Sequence, residues 1–385
     1  MTDLNQILPL WSELRQTRVE YVLATVVAVE GSSYRKPGAR MVVAADGRHA
    51  GIVSGGCLES EVARKAFWNT ENGPVVMRYS TSADDGDLPF GMGCGGAVHL
   101  LLERSGSANS LMDRLARNFR ERKPMAIATV LDGEAVGRRG FWQDETDEAA
   151  RNLEYIPEND PVALTLTTTA RRAYEERRSF SDTVHAGDGG HQSIRAEWVA
   201  PRAGLFIFGA GNDAIPLVRQ AAQLGWYVSV ADGRAHLATR ARFPEADDVI
   251  VLSAGGFISP PVKSTDAAVM MTHSFEQDAR VLGGLLSEDL AYIGVLGPRR
   301  RTRELVSSIA KDLNLHEPQI EEQAEAWLER LHAPMGLDLG GDTPAEIALA
   351  VIAEIQKSLH RATGKSLRQV RASGAEQSVV SASLL

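Results

Sequence analysis

The sequence predicts an α/β protein with two domains: a mixed α/β domain with β-hairpins, followed by a doubly wound parallel sheet. Three observations lead to this fold class. The chain of 385 residues is longer than one compact core usually accommodates. In the first half, Asp-Gly pairs separate runs of β-branched residues, which is a strong hairpin signal. From Gly204 onward, strand-like runs alternate with segments of helical periodicity, which is typical of βαβ units.

Composition excludes several classes of protein. Hydrophobic residues make up 44% and charged residues 24%, as in soluble globular proteins, and the formal net charge is -9. An acidic chain does not suit a protein whose whole surface follows nucleic acid, and no apolar run approaches the roughly 20 residues of a membrane span. The first residues do not show a basic segment followed by an apolar stretch, so we expect no secretion signal. Two cysteines are too few for a disulfide scaffold in a chain of this length. We therefore expect a cytoplasmic protein without nucleic-acid or membrane partners.

The elements of the first domain follow from local patterns. Apolar residues at helical spacing from Leu4 to Leu14 predict an opening helix, and Tyr21–Val29 predicts a buried strand. Two hairpins are predicted to turn at Asp-Gly pairs, one at Asp46-Gly47 and one at Asp132-Gly133. The domain boundaries follow from changes in composition: an N-terminal domain at 1–142, its edge and a linker at 143–200, a C-terminal domain at 201–360, and a disordered tail at 361–385.

A glycine fingerprint opens the second domain. Gly209, Gly211 and Ala214 follow the strand LFIF in the pattern Gly-x-Gly-x-x-Ala, and Asp232 closes the next strand. The glycines permit a tight turn and the approach of a pyrophosphate, and the acid is placed to bind a ribose hydroxyl. This predicts a Rossmann-like C-terminal domain that binds NAD or another adenine nucleotide, with an empty nucleotide fold as the alternative. The acid disfavours NADP, although Arg234 is near.

Two further polar segments follow predicted strands of this domain. His273 comes after AAVMMT, at a carboxyl end where open α/β sheets bind ligands, and is either an acid/base or phosphate partner or an ordinary loop residue. The segment GVLGPRRR places Arg299–Arg301 beyond another strand. These arginines form either an anion-binding loop or the solvated start of a helix.

Both cysteines lie in glycine-rich turns. Cys57 follows Gly55 and Gly56, and Cys94 lies between Gly93 and the pair Gly95-Gly96. Buried inert cysteines are one interpretation, and an accessible functional pair is the other. The spacing does not suit zinc, whereas soft ligation of molybdenum or copper, or a sulfur relay, is chemically reasonable.

Several motifs together resemble the xanthine dehydrogenase accessory factor family (XdhC/CoxI). In the first domain they are ATVVAVEGSSYRKPGARMVV, SGGCLESEV and GCGGAV; in the second they are FGAGNDAIPLV, VMMTHSFEQD, YIGVLGPRRR and APMGLDLGGDTPAEIAL. The resemblance covers roughly residues 10 to 358 in the same order, apart from the predicted linker. Two positions depart from the family pattern: Tyr34 replaces a usual proline, and Gly233 stands where a bulkier residue is expected.

This resemblance implies a maturation factor for molybdenum hydroxylases. Such a factor binds and protects the molybdenum cofactor, assists its sulfuration with a cysteine desulfurase, and inserts it into the apo-enzyme; a homodimer is also implied. Carried over by motif, Cys57 and Cys94 are the cofactor-handling sulfurs and possible molybdenum contacts. The surrounding cofactor-binding residues are Gly55, Gly56, Gly93, Gly95, Gly96, Ser32, Ser33 and Arg35.

Two other functions compete with maturation. One is an NAD-dependent oxidoreductase acting on its own small substrate, with His273 as the acid/base. The other is a nucleotide-sensing module in which neither domain performs chemistry. Whether the protein is itself an enzyme therefore stays open from sequence, with an accessory role favoured.

Overall fold

The computed structural model describes residues 4–56, 58–80, 96–143, 161–185, 191–253, 260–312, 316 and 318–372. The chain divides into two compact units, one ending at Pro201 and the other beginning at Arg202. Among the described residues, the N-terminal unit has two sheets and the C-terminal unit has one, and each unit has its own hydrophobic cores.

The first part of the N-terminal unit contains α1 (Leu4–Thr17), β1 (Tyr21–Glu30), β2 (Arg40–Ala44), β3 (His49–Gly51), α2 (Glu59–Asn69), β4 (Val75–Ser80), β5 (Ala97–Arg104) and α3 (Ser105–Glu121). Its strands form an antiparallel sheet of order β3-β2-β1-β5-β4. The predicted hairpin at Asp46-Gly47 is confirmed, because β2 and β3 pair on either side of it. Gly47 has φ +89°, a conformation in which glycine is favoured.

Alternating residues of β1 send side chains to two different cores. Val22, Ala24 and Val26 pack with α2 residues such as Val62. Tyr21 and Leu23 instead pack with α1 and α3. The strand is buried on both faces over most of its length, as its continuous β-branched run predicts.

The described part of the segment 143–200 is mainly regular structure, whereas its sequence indicated a domain edge and a linker. The predicted second hairpin forms, with a connection longer than an Asp132-Gly133 turn, because β6 (Met125–Val130) pairs with β7 (Arg139–Trp142). The segment after it contributes α4 (Pro161–Glu175), β8 (Phe180–His185) and β9 (His191–Val199), and the four strands form a second antiparallel sheet of order β7-β6-β9-β8. The apolar periodicity of α4 is weak because the helix buries small residues, such as Ala170 and Ala173, and exposes arginines on its other face.

Two buried ion pairs connect the two sheets of this unit. Arg139 on β7 forms a bidentate pair with Glu103 on β5, and their side chains are 2% and 0% exposed. Arg40 on β2 binds both carboxylate oxygens of Glu197 on β9, at 3.0 and 2.6 Å. Because a buried charge is costly without its partner, each pair ties its two strands together.

The C-terminal unit is a doubly wound parallel sheet, which confirms the predicted fold class. Its elements are β10 (Gly204–Phe208), α5 (Ala214–Gln223), β11 (Tyr227–Asp232), β12 (Asp248–Val251), β13 (Ala267–Met270), α6 (Phe275–Leu285), β14 (Tyr292–Val295), α7 (Arg299–Asp312), α8 (Gln319–Arg330), α9 (Pro344–Leu359) and α10 (Leu367–Ala372). The strand order is β12-β11-β10-β13-β14, and every pairing is parallel. One face of the sheet packs on α5 and α9, the other on α6, α7 and α8.

The helix α9 begins at the capping box that TPAE predicts. The Thr343 hydroxyl accepts a hydrogen bond from the Glu346 amide, and the Glu346 carboxylate accepts one from the Thr343 amide at 3.0 Å. Beyond α9, the short helix α10 lies inside the segment predicted to be disordered. The rest of that predicted tail, 373–385, lies outside the described residues.

A hydrogen-bonded carboxylate fixes the segment before α9. Glu354 on α9 accepts hydrogen bonds from the Tyr292 hydroxyl at 2.8 Å and from the Gly336 amide at 2.7 Å, and its other oxygen lies 3.0 Å from His332 Nδ1. Burial raises the pKa of Glu354, but the hydrogen bonds from Gly336, Tyr292 and His332 outweigh burial and lower it overall. The charged form of Glu354 therefore stabilises the folded unit.

We expect Glu354→Gln to lower the free energy of unfolding at pH 7 by about 2 kcal/mol, the size of hydrogen bonds to a charged group. The folded pKa of Glu354 lies below its unfolded value, so the stabilisation is complete above the unfolded pKa. It is lost as the pH falls through the folded pKa. Melting curves at pH 7, 5, 4 and 3 should therefore show the difference from the parent protein shrinking. Glu329→Gln, an exposed change on α8, is the control, and a pH-independent difference for Glu354→Gln contradicts this account.

Candidate functional site

The turn before α2 is held by hydrogen bonds beneath its backbone. Glu59, the first residue of α2, accepts hydrogen bonds from the amides of Val53 and Ser54 at 3.0 and 2.7 Å. The Ser54 hydroxyl donates to Glu59 and accepts from the amides of Gly56 and Leu58. Gly55 and Gly56 remain exposed. Sequence reasoning missed Ser54 and Glu59, although an acid in the first turn of a helix is a recognisable signal.

The EGSSYR loop contacts both glycine-rich segments that carry the cysteines. A Cβ at Gly96 would lie 2.3 Å from the Ser32 carbonyl oxygen and 2.7 Å from that of Glu30. A Cβ at Gly55 would lie 3.9 Å from the ring of Tyr34. Three separate segments of sequence are thus brought to one place in the N-terminal unit.

Within this cluster, the Ser33 hydroxyl donates to the carbonyl oxygen of Arg35 at 2.9 Å, and both residues are half-buried. Four of the predicted site residues, namely Cys57, Gly93, Cys94 and Gly95, lie outside the described residues.

The acidic residue at the start of the EGSSYR loop forms an ion pair. Glu30, the last residue of β1, binds Arg78 through both carboxylate oxygens, at 3.2 and 2.9 Å, and lies 2.6 Å from His99 Nε2. The hydrogen bonds from Arg78 and His99 lower the pKa of Glu30 to about 2. Sequence reasoning missed this group because the register of β4 against β5 is what places Arg78 opposite His99. Next to it, His99 and Asp132 line a groove of about 610 Å³.

In the C-terminal unit, the predicted fingerprint forms the turn from β10 into α5. Gly209 has φ +129°, and a Cβ there would lie 2.3 Å from the Met271 carbonyl oxygen. A Cβ at Gly211 would meet only the Asp213 side chain, and Ala214 is fully buried at the start of α5. The turn therefore requires glycine at 209 because of the backbone behind it.

The Asp232 carboxylate is already fully engaged by protein groups. One oxygen accepts from the Ala210 amide at 2.7 Å and from Arg234 Nη2 at 2.8 Å. The other accepts from the Arg234 amide at 2.8 Å and from its Nε at 3.0 Å. Burial raises the pKa of Asp232, but the hydrogen bonds from Arg234 and Ala210 outweigh it and lower the pKa. Ribose binding by Asp232 stays a prediction. The cation that pairs with the Asp232 carboxylate is the Arg234 guanidinium.

His273 lies beyond β13 in a left-handed backbone conformation, with φ 60°. Its side chain is 61% exposed, and Nε2 lies 3.1 Å from Asp213 Oδ2. Since β10 and β13 are neighbours that connect to helices on opposite faces, His273 and the glycine turn flank the point where the strand order reverses. Ligands bind at this point in open α/β sheets, and strained non-glycine residues concentrate at functional sites.

The three arginines of GVLGPRRR have different surroundings. Arg301 binds Asp278 at 2.7 Å, and Asp278 also accepts from the Thr272 hydroxyl at 2.6 Å. Arg299 and Arg300 are exposed at the start of α7. Arg301 thus has a structural partner inside the unit.

Family profiles match both units of the chain. The profile described as the XdhC and CoxI family matches residues 14–80, and the profile of the XdhC Rossmann domain matches residues 205–355. The chain belongs to the XdhC and CoxI family.

Among relatives of this XdhC/CoxI protein is a probable xanthine dehydrogenase subunit of Bacillus subtilis, 29% identical over 90% of this chain and 96% of the relative. The "Molybdenum cofactor insertion chaperone PaoD" of Escherichia coli is 37% identical over 28% of this chain and 33% of its own length. The crystal structure of a protein described as a xanthine dehydrogenase, from Bacillus halodurans, superposes with a TM-score of 0.66. It is 29% identical and covers 95% of this chain and 98% of its own.

Two features are absent from the described part of the XdhC/CoxI chain. No group of three or more His, Cys, Asp or Glu side chains in these residues is placed to hold a metal ion. None of the described helices combines the length and apolar character needed to cross a membrane.

Proposed function

We propose that this protein is a maturation factor that binds the molybdenum cofactor and delivers it to an apo molybdenum hydroxylase of the xanthine dehydrogenase type. The observation that carries the proposal is the meeting of the EGSSYR loop with the Gly55 and Gly96 segments. In the sequence, these two segments adjoin Cys57 and Cys94, the chain's two cysteines. The names of the relatives from Bacillus subtilis and Escherichia coli support the same role.

The chemistry of the cluster suits such a cargo. The backbone at Gly55 and Gly56 is exposed, and a Cβ at Gly56 would meet no atom within 4 Å, so a ligand can approach the peptide groups directly. Two thiols are soft donors for a molybdenum centre, and Arg35 supplies positive charge for an anionic cofactor. Cys57 and Cys94 handle the cofactor, with Gly55, Gly56, Gly93, Gly95, Gly96, Ser33 and Arg35 around it.

The finer parts of the proposal follow from the family. A cysteine desulfurase supplies sulfur for the bound cofactor, the factor acts as a homodimer in the cytoplasm, and the Rossmann unit binds an adenine nucleotide. Gly209, Gly211 and Ala214 form the nucleotide turn, and His273 lies beside it at the strand reversal.

We expect Cys57→Ser and Cys94→Ser each to lower the cofactor content of the purified protein at least tenfold, because serine is not a soft donor. The melting temperature should stay within about 2 °C of the parent, because cysteines that handle cofactor need not contribute to a packed core. Molybdenum and pterin analysis of protein from a molybdenum-replete host measures the first quantity, and calorimetry measures the second. Gly106→Ala on α3, where a Cβ meets no atom within 4 Å, is the control. Variants that melt several degrees lower and still carry cofactor show the cysteines to be structural.

The second candidate function is an NAD-dependent oxidoreductase. The pairing of His273 with Asp213 in a strained backbone favours it, because this arrangement suits a general acid or base. Turnover of nicotinamide nucleotides by the purified protein, without any molybdoenzyme, discriminates this function from maturation.

A further inference from the structure

We propose that the carboxyl end of β11 binds a phosphate monoester on the ribose of an adenine dinucleotide, so that the Rossmann unit prefers NADP(H) to NAD(H). This inference rests on the proposal that the glycine turn binds a nucleotide. It reverses the preference that Asp232 alone indicates, and the contacts of Asp232 are the reason.

The carboxylate of Asp232 is not available to a ribose. Its side chain is 0% exposed, and four protein hydrogen bonds of 2.7 to 3.0 Å occupy its two oxygens. A ribose hydroxyl could reach it only by displacing the Arg234 guanidinium, which would exchange a charge-assisted pair for a neutral donor. Asp232 therefore acts as a positioning residue: it holds the Ala210 amide of the glycine turn and orients Arg234.

Asp232 holds the Arg234 side chain in a position that is partly exposed to solvent. Its side chain is 43% exposed although Nε and Nη2 bind the buried carboxylate. Nη1, the third nitrogen of the guanidinium, lies outside this pairing. A guanidinium fixed along one edge and open along another suits a phosphate, because little side-chain entropy is then lost on binding.

The chain after β11 adds positive charge beside the same turn. Beyond Arg234 it contains Arg240, which donates to the carbonyl oxygens of Ala246 and Asp247, and Arg242, which lies at the turn. Arg242 Nη2 donates to Asn212 Oδ1 at 2.9 Å, and Asn212 belongs to the glycine turn itself. His236 is exposed. Asp213 is close enough to Arg234 to interact with it electrostatically, and it lies 3.1 Å from His273.

Calorimetric titration of the full chain with NADP+ and NAD+ tests the proposal, together with the minimal pair 2′,5′-ADP and 5′-AMP, which differ only in the ribose phosphate. We expect NADP+ to bind at least tenfold more tightly than NAD+, and 2′,5′-ADP at least tenfold more tightly than 5′-AMP. In Arg234→Ala, NADP+ should bind at least tenfold more weakly while NAD+ binds more tightly, because the Asp232 carboxylate becomes accessible. Arg219→Ala on α5, where the arginine is exposed and pairs with Glu245, should change neither affinity.

The opposing changes separate ligand binding from a purely structural role. Equal weakening of both dinucleotides in Arg234→Ala would mean that Arg234 only supports the turn, and it would overturn the proposal. Binding of NAD+ as tight as that of NADP+ by the parent protein would also overturn it while leaving a nucleotide site intact. If none of the four ligands binds the parent protein, the nucleotide site itself is wrong.

Discussion

Glu103→Gln is expected to lower the free energy of unfolding of the N-terminal unit by about 3–5 kcal/mol, the usual cost of removing one partner of a buried ion pair. The substitution preserves size and removes the charge, so Arg139 would remain buried without a counter-charge at a position that is 2% exposed. For a unit of this size the corresponding drop in melting temperature is roughly 6–20 °C.

Calorimetry of the full chain measures this effect, with Asp113→Asn as the matched control. Asp113 pairs with Arg15 on the surface, where both side chains are more than 40% exposed, and such pairs contribute less than about 1 kcal/mol. Replacing both members of the buried pair, as Glu103→Leu with Arg139→Met, should recover most of the loss. If Glu103→Gln melts within two degrees of Asp113→Asn, the buried pair does not hold the two sheets together.

Gly209→Ala is expected to destabilise the C-terminal unit by on the order of 3 kcal/mol, combining a strained backbone with a backbone collision. The φ of +129° is unfavourable for alanine, and the new Cβ would lie 2.3 Å from the Met271 carbonyl oxygen. Relief requires β10 and β13 to separate where they flank the glycine turn. The nucleotide binding proposed for this turn should therefore disappear along with the stability.

Two alanine variants separate the causes. Gly340→Ala tests conformation alone, because Gly340 has φ +75° and a Cβ there meets no atom within 4 Å. Gly211→Ala tests a substitution in the same turn at a residue that has no positive φ. Its Cβ would meet only the Asp213 carboxylate. Melting curves and nucleotide titration of all three variants provide the comparison. If the Gly209→Ala variant has the melting temperature of Gly340→Ala and the nucleotide affinity of the parent protein, the collision is easily relieved.

Local patterns predicted the elements that depend on local chemistry. The Asp46-Gly47 hairpin, the alternating strands and helices after Gly204 and the capping box at Thr343 were all predictable from neighbouring residues. The described part of the segment 143–200 was not, because β9 is specified by pairing with β6, β8 by pairing with β9, and the helix by packing on that sheet. The Arg40–Glu197 pair joins residues 157 positions apart, which no local pattern reveals.

The candidate sites show the same division. The glycine fingerprint and its acid were identified from spacing, and Arg234 was noticed only as a neighbour. That Arg234 binds both oxygens of Asp232 depends on a side-chain conformation, which spacing does not determine. Likewise, the contact between the EGSSYR loop and Gly96 arises because the pairing of β1 with β5 resumes after a register shift at Val26–Ala28 and ends at Glu30 and Ala97.

The position of α9 has a consequence for biosynthesis. Residues Val351, Ile352 and Ile355 of this helix complete the core on the α5 face of the parallel sheet, although α5 ends at Gln223. A chain emerging from the ribosome therefore exposes the apolar face of α5 and β10 while more than a hundred further residues are translated. Core formation in the N-terminal unit does not depend on residues translated so much later, since its described cores are complete by Val199. Nascent chains stalled before α9 should thus be the species that molecular chaperones bind most strongly.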